Sequence, residues 1–307
     1  MAVDWRRELP ELEVLEEEPM AGRTTFRIGG PARWFLCPRD ETQAAQVLEL
    51  CRREGIVPFF LGNGSNLLVA DEGYEGVVLS TRRLNRLEEE DGLIYSGSGV
   101  LLSRLANFAL EQGLTGLEFA QGIPGSVGGG VRMNAGAYGG ELGQVVEWVD
   151  ALDSAGTRRR FSGAECGFFY RHSLFCREPF LVLGAAFRLE KGEKTAIRAA
   201  MEDYAQRRRE KQPLEFPSAG STFKRPQGHY AAALIDSCGL KGLRVGDAQV
   251  SEKHAGFLIN RGRATAAEVL ALMAQVRDRV REETGVELEP EVETLPPGLG
   301  AGRWRKD

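Results

Sequence analysis

Histidine is scarce in this chain: three residues in 307, His172, His229 and His254, far apart in sequence. None falls in a Cys/His spacing that would hold zinc, so no metal is expected. The five cysteines (Cys37, Cys51, Cys166, Cys176 and Cys238) include no C-x-x-C pair. An odd, scattered set reads as reduced packing residues, not as a disulfide framework. No apolar run approaches the ~20 residues that a membrane span needs. The opening from Met1 to Pro19 is acidic and lacks the apolar segment of a signal peptide. Positive charge is also short, with 39 Lys and Arg against 44 Asp and Glu, a net charge of −5. General nucleic-acid binding wants a basic face, and the run Arg303-Trp304-Arg305-Lys306 reads as a solvated terminus. The expectation is a cytoplasmic protein without nucleic-acid or membrane partners.

What the chain has in quantity is glycine. Gly122 to Gly130 holds five glycines in nine positions, with Ile123, Pro124 and Ser126 among them. Each glycine costs conformational entropy, so such a cluster belongs where backbone bends sharply or approaches something closely. Bare N–H groups in a glycine turn make an anion-binding concavity, which points to a phosphate. A second loop, Gly62-Asn63-Gly64-Ser65-Asn66, follows the strand-like Val57–Leu61. Two such loops suit a dinucleotide diphosphate; two ordinary tight turns are the other reading. A Rossmann fingerprint fails, because Gly62-x-Gly64-x-x ends on Leu67 and no helix pattern follows directly. There is no G-x-x-x-x-G-K-[ST] run either.

Periodicity supplies the surrounding elements. A helix is expected over Asp40–Glu54, capped by Asp40 with Gln43 reaching back and stopped at Gly55. Gly97-Ser98-Gly99 leads into another, Leu101 to Gln112, closed by Gly113. Strands are expected at Gln144–Leu152 and Phe180–Arg188, and a long charged helix at Glu193–Lys211. In the last third, Ser218–Lys224 is a small-residue turn and Ala231–Ser237 a short helix. Thr265-x-x-Glu268 is a capping box opening a helix stopped at Gly285. Val286 to Glu293 alternates apolar and acidic residues and is expected to be a strand, which Pro290 makes either an edge strand or a bulged one. Strands and helices do not alternate regularly, which favours α+β lobes over a doubly wound sheet.

Six motifs occur together and in order: Thr24–Ala32, Gly62–Asn66, Gly122–Gly129, Tyr170-Arg171-His172-Ser173, Ala219–Lys224 and Leu288-Glu289-Pro290-Glu291-Val292. From about Thr24 to Val292 the chain resembles the UDP-N-acetylenolpyruvoylglucosamine reductase family, in its shorter, type II branch. The resemblance implies two α+β subdomains of the vanillyl-alcohol-oxidase type that clamp FAD, here residues 1–79 and 80–195. It further implies a third α+β lobe, 196–295, that receives the sugar nucleotide, with a tail at 296–307. Neither glycine loop contains a histidine or cysteine, so the FAD is expected to be non-covalent, with NADPH as co-substrate. A monomer is expected. The alternative on the same fold is an FAD-dependent oxidase or dehydrogenase with another substrate.

The resemblance also implies the chemistry. NADPH reduces the flavin, UDP-N-acetylglucosamine enolpyruvate replaces the nicotinamide, hydride passes to its methylene carbon, and a proton reaches the neighbouring carbon. By motif match Arg171 meets the substrate carboxylate, Ser221 donates the proton, and Glu291 stabilises the developing enediolate from a protonated or hydrogen-bonded state. The match places the FAD diphosphate on Gly62, Asn63, Gly64, Ser65 and Asn66 and on Gly122, Ile123, Pro124, Gly125, Ser126, Gly128 and Gly129. Tyr170, Lys224, Arg244 and Lys253 are candidates for substrate binding. Too few residues separate Ser173 from Phe180 for the insertion that carries the longer branch's substrate-covering tyrosine. Tyr138, Tyr204 and Tyr230 are the candidates to replace it.

Overall fold

A computed structural model describes residues 3–300; the expected basic run at 303–306 lies outside the described residues. The chain divides into two compact units, each assembled from separated stretches. One comprises Trp34–Asn63, Gly76–Arg207 and the N-terminal stretch to Glu16; the other comprises Glu17–Arg33, Gly64–Glu75 and the chain from Arg208 onward.

In the first unit an antiparallel sheet runs in the order Arg158–Ser162, Val146–Leu152, Leu181–Arg188, Leu93–Gly97, Leu87–Glu90. The helix Leu102–Gln112 presents Leu102, Leu105, Ala106 and Ala109 to a core shared with Ile94, Val149 and Phe187. Gly113 ends that helix at φ 69°, the left-handed conformation that frees the chain from the last turn. A second core joins the helix Glu41–Arg53 to strand residues, with Val47, Leu48 and Cys51 against Leu36, Val77 and Leu79. Asp40 caps this helix, its Oδ1 accepting from Gln43 N–H at 2.8 Å. The Gln43 side chain reaches back one residue further than expected, accepting from Arg39 N–H. Burial pushes the Cys51 and Cys166 thiols up to about 12, so both are packing groups without thiolate character at neutral pH.

One polar cluster lies inside the sheet. Asp150, its side chain 1 % exposed, accepts from Arg158 Nη2 and from Arg160 Nε and Nη2, each at 2.8 Å. Burial by itself would raise this carboxyl; the hydrogen bonds from Arg160 and Arg158 outweigh it and hold the carboxyl below its usual range. Asp150→Asn is expected to cost about 2 kcal/mol, less than a fully buried pair because both arginines are half exposed. The increment is present above the unfolded-state value of about 3.9 and is lost as pH falls through the lowered folded value. Denaturant melts should therefore show the mutant's deficit at neutral pH and a smaller deficit at strongly acid pH.

In the second unit a sheet runs Ser218–Ser221, Phe257–Asn260, Ala248–Val250, Arg244–Val245. The helix Ala266–Thr284 covers it with Val269, Leu272, Met273 and Val276, against Val250 and Leu258. Its capping box forms as the sequence predicts, with Thr265 accepting from Glu268 N–H, and Gly285 closes it at φ 73°. Asp71 also caps this helix start, its Oδ1 accepting from Ala266 N–H at 2.7 Å and its Oδ2 from Ala267 N–H at 3.0 Å. The mixed helices and antiparallel sheets are the expected α+β class.

Three local readings are corrected. Ser218–Lys224 is not a turn throughout, since Ser218–Ser221 is a strand paired with Phe257–Asn260. Val286 to Glu293 is not a strand: only Pro290 makes an isolated bridge, to Phe223, and the strand proper is Glu293–Leu295, parallel to Leu67–Val69. The apolar alternation survives in burial, since Leu288 and Val292 are buried, but the chain there is extended without a continuous ladder. Nor is Gly128-Gly129-Gly130 open loop; it lies in a short helix, Val127–Arg132. A Cβ on Gly128 would stand 2.7 Å from that of Ser98, and one on Gly130 2.9 Å from Leu142 Cδ1. Those two glycines serve close packing, which outweighs their poor helix propensity.

Candidate active site

The start of the first glycine loop, Gly62–Asn63, meets the second, Gly122–Gly129, in the first unit. A Cβ on Gly62 would lie 2.4 Å from Ser126 Oγ and 3.7 Å from Gly129 N, so the two loops face each other at backbone distance. Asn63 Nδ2 donates to the carbonyl of Pro124 and ties them. The base of the second loop is fixed from below: Ile123 N–H donates to Ala120 O, Leu102 N–H to Gly125 O, and Gly128 N–H to Ser98 O. Ser126 Oγ and Ser98 Oγ are both buried with no hydrogen-bond partner. Two orphaned hydroxyls packed against the glycines of these loops are costly unless a ligand supplies acceptors, and a diphosphate would do so. The residues present therefore fit the diphosphate of FAD. Ser98 was read from sequence only as the lead into a helix, although Gly97-Ser98-Gly99 has the composition of the other two loops. The first loop is divided between the units: Gly62 and Asn63 belong to one, Gly64, Ser65 and Asn66 to the other.

Also in the first unit, Arg171 sits at the tip of a two-residue turn closed by Phe169 and His172, whose N–H and C=O groups exchange bonds of 3.0 and 3.1 Å. Its backbone is left-handed, φ 54°, an uncommon state for a residue with a branched side chain to place. Its guanidinium lies 5.1 Å from the Tyr170 ring centre and donates to Gly136 O at 3.3 Å. Asn134, fully buried and itself at φ 42°, holds the turn: Nδ2 donates to Phe169 O at 3.1 Å while Oδ1 accepts from Gly143 N–H at 2.8 Å. Tyr138, at φ 54°, stacks on Tyr204 with ring centres 4.6 Å apart. Arg171 and the Asn134 that holds its turn are thus both non-glycine residues in left-handed backbone, a kind of strain that concentrates at functional sites. Sequence reasoning passed over Asn134; the Asn-Ala-Gly-Ala-Tyr-Gly run around it was the available signal.

The second unit brings Ser221 and Glu291 together. Glu291 N–H donates to the carbonyl of Thr222 at 2.8 Å, so the glutamate lies opposite the residue after the serine. Ser221 is exposed and ends its strand at a bulge, where Ser218 and Ser221 pair with Ile259 and Phe257, one residue more on the serine side. Gly220 takes φ 76° there with nothing within 4 Å of its would-be Cβ; the glycine is needed for the turn of the chain, not for space. Behind the pair, Thr222 N–H donates to Gly256 O, and Gly256 N–H to His254 Nδ1 at 3.2 Å. Burial pushes the His254 imidazole down, which keeps it neutral and able to accept that bond.

The candidate substrate cations of this unit have protein partners. Lys224 Nζ pairs with Glu289 at 2.5 Å, and its N–H donates to Glu289 O. Arg244 bonds Gly246 O and Asp247, and Lys253 Nζ donates to Arg209 O at 2.7 Å. Lys224 lines an open cleft of about 410 Å³ with Arg225, His229, Glu287 and Glu289. Arg225 lies over the exposed Tyr230 ring at 4.5 Å.

Comparison with known proteins covers most of the chain. The family model of an FAD binding domain matches residues 32–162, and the model for the UDP-N-acetylenolpyruvoylglucosamine reductase C-terminal domain matches residues 212–295. A UDP-N-acetylenolpyruvoylglucosamine reductase of Clostridium novyi is 49% identical over 284 residues, 92% of each chain. One of Heliobacterium modesticaldum is 48% identical over 288 residues, covering 92% of this chain and 90% of the relative. The crystal structure of the Thermus caldophilus UDP-N-acetylenolpyruvylglucosamine reductase superposes with a TM-score of 0.78 at 36% identity, covering 92% of this chain and 98% of that one.

Proposed function

The chain belongs to the UDP-N-acetylenolpyruvoylglucosamine reductase family, and from that premise we propose how its residues divide the work. It is a flavin-dependent oxidoreductase that uses NADPH to convert UDP-N-acetylglucosamine enolpyruvate to UDP-N-acetylmuramate for peptidoglycan. Residues 1–79 and 80–195 serve the cofactor and 196–295 the sugar nucleotide, a division supported by the FAD model on 32–162 and the C-terminal model on 212–295. Among the described residues no helix is long and apolar enough to cross a membrane. The cytoplasm, where NADPH and the sugar nucleotide meet, is the proposed place of work.

The chemistry that FAD supplies when bound is hydride transfer, from NADPH and then to the methylene carbon of the enolpyruvyl group. The chain's own residues bind, stabilise charge and deliver the proton. Gly62, Asn63, Ser126 and Gly129, with Ser98 beneath, hold the diphosphate, and Ser126 Oγ and Ser98 Oγ gain there the acceptors they lack. Arg171 offers a permanently charged fork to the substrate carboxylate, on a turn preset by Asn134. Ser221 Oγ gives its proton to the carbon next to the carboxylate, whose basicity in the enediolate makes a hydroxyl acid enough. Glu291, protonated or hydrogen-bonded, stabilises the same charge from the neighbouring segment.

The observation that carries this reading is the pairing of Ser221 with Glu291 through the Thr222–Glu291 hydrogen bond. The purified protein should be yellow, and NADPH added without oxygen should bleach it. Acid denaturation should release all the flavin into solution, since neither cradle loop offers a histidine or cysteine for a covalent link. Colour retained by the precipitate would contradict the non-covalent cradle, and a colourless protein that takes up no FAD would contradict the whole reading.

A further inference from the structure

Asn66 ends the first glycine loop, where the motif places it among the cofactor's ligands, yet its side chain is engaged elsewhere. Its amide Nδ2 donates to the carbonyl of Glu291 at 2.9 Å, and its own carbonyl accepts from Glu293 N–H at 3.1 Å. From there the chains continue in parallel register, Leu67 opposite Glu293 and Leu68 opposite Thr294. On the other side Glu291 N–H donates to Thr222 O. Both backbone polar groups of Glu291 are thereby fixed, one to the strand that presents Ser221 and the other to Asn66.

The arrangement answers a local deficit. Pro290 has no N–H, and among the described residues the segment before Glu293 forms no continuous ladder, so side-chain bonds matter in holding it. A short side-chain amide supplies one; aspartate of the same shape has no N–H to give. Thr25 repeats the pattern on the serine side, its N–H donating to Gly64 O at 3.1 Å and its Oγ1 to Ser218 O at 2.7 Å. The end of this loop therefore bonds the Glu291 segment directly and the Ser218–Ser221 strand through Thr25.

We propose that Asn66 is a positioning residue for Glu291, its amide setting the backbone from which the carboxyl projects. This rests on the role given to Glu291 above. Releasing that carbonyl lets the segment shift, and displacement on the order of 1 Å at a reacting group costs roughly 10²-fold in rate.

The test uses flavin-loaded enzyme in anaerobic stopped flow, with Asn66→Ala, the isosteric Asn66→Asp, Glu291→Ala, and Asn66→Ala combined with Glu291→Ala. Asn66 ends a loop assigned to the cofactor, so each variant is saturated with FAD and its own rate of reduction by NADPH is the baseline against which reoxidation is judged. Relative to that baseline, reoxidation by the enolpyruvyl sugar nucleotide should slow roughly 10- to 100-fold, with Asp at least as impaired as Ala. The double variant should reoxidise no more than about twofold more slowly than Glu291→Ala alone. Multiplying losses in the double variant would overturn the proposal, as would parallel slowing of both half-reactions in either Asn66 variant. Normal reoxidation in Asn66→Ala beside a slow Glu291→Ala would remove only the role of Asn66. Normal reoxidation in Glu291→Ala would remove the role of Glu291 itself, and this proposal with it. If Asn66→Ala does not fold, the comparison is made with Asn66→Asp, which preserves the volume and the Glu293 bond.

Discussion

Ser221→Ala is expected to leave the flavin bound and its reduction by NADPH unchanged, while reoxidation by substrate falls roughly 10²- to 10⁴-fold, the contribution of a positioned general acid. The asymmetry is the informative part. Hydride transfer from NADPH needs no proton on carbon, whereas saturation of the enolpyruvyl double bond does. The structural setting makes the substitution clean. Ser221 is exposed at the end of its strand, and the adjacent Thr222 carries the local bonds, to Gly256 O, Leu258 N and Glu291 N. Removing one exposed hydroxyl should change the thermal midpoint little. Rapid-mixing measurement of the two half-reactions decides the matter, and equal loss in both would refute the donor role.

Gly62→Ala should separate cofactor binding from folding. Gly62 has no left-handed backbone to protect, so alanine is tolerated by the main chain, but its Cβ would stand 2.4 Å from Ser126 Oγ. That hydroxyl must rotate out of the cradle, forfeiting a hydrogen bond to charged phosphate worth about 1.5–3 kcal/mol, a loss of roughly 10- to 100-fold in FAD affinity. Gly64→Ala makes the contrast. There φ is 63° and the Cβ would meet Arg23 O at 2.2 Å, backbone that cannot yield, so the penalty falls on stability. Flavin titration of the refolded apoproteins, alongside thermal melts, should show weak binding with a normal midpoint for Gly62→Ala and a depressed midpoint for Gly64→Ala.

These contrasts also show what could be read from residue order. The capping box at Thr265–Glu268, the Asp40 cap and the stops at Gly113 and Gly285 are local chemistry, settled within a few residues, and the sequence states them outright. The helix through Gly128–Gly130 was not legible, because what forces glycine there is the approach of Ser98 and Leu142, distant in sequence. The alternation from Val286 to Val292 marks Leu288 and Val292 as buried, leaves Val286 only half-buried, and misnames the backbone, since the missing ladder is decided by neighbours. Asn134 and the side chain of Asn66 are of the same kind. Each is a small polar residue whose task is a bond to a carbonyl 35 or 225 positions away, and no periodicity reports such a bond.

The most direct measurement is single-turnover recolouring. Protein bleached by one equivalent of NADPH under argon is mixed with UDP-N-acetylglucosamine enolpyruvate, and the visible flavin band is followed. Return of the full band without oxygen, with one UDP-N-acetylmuramate formed per flavin, is the predicted result. A flavin that stays bleached until air is admitted would contradict the account and mark the chain as an oxidase of the same fold.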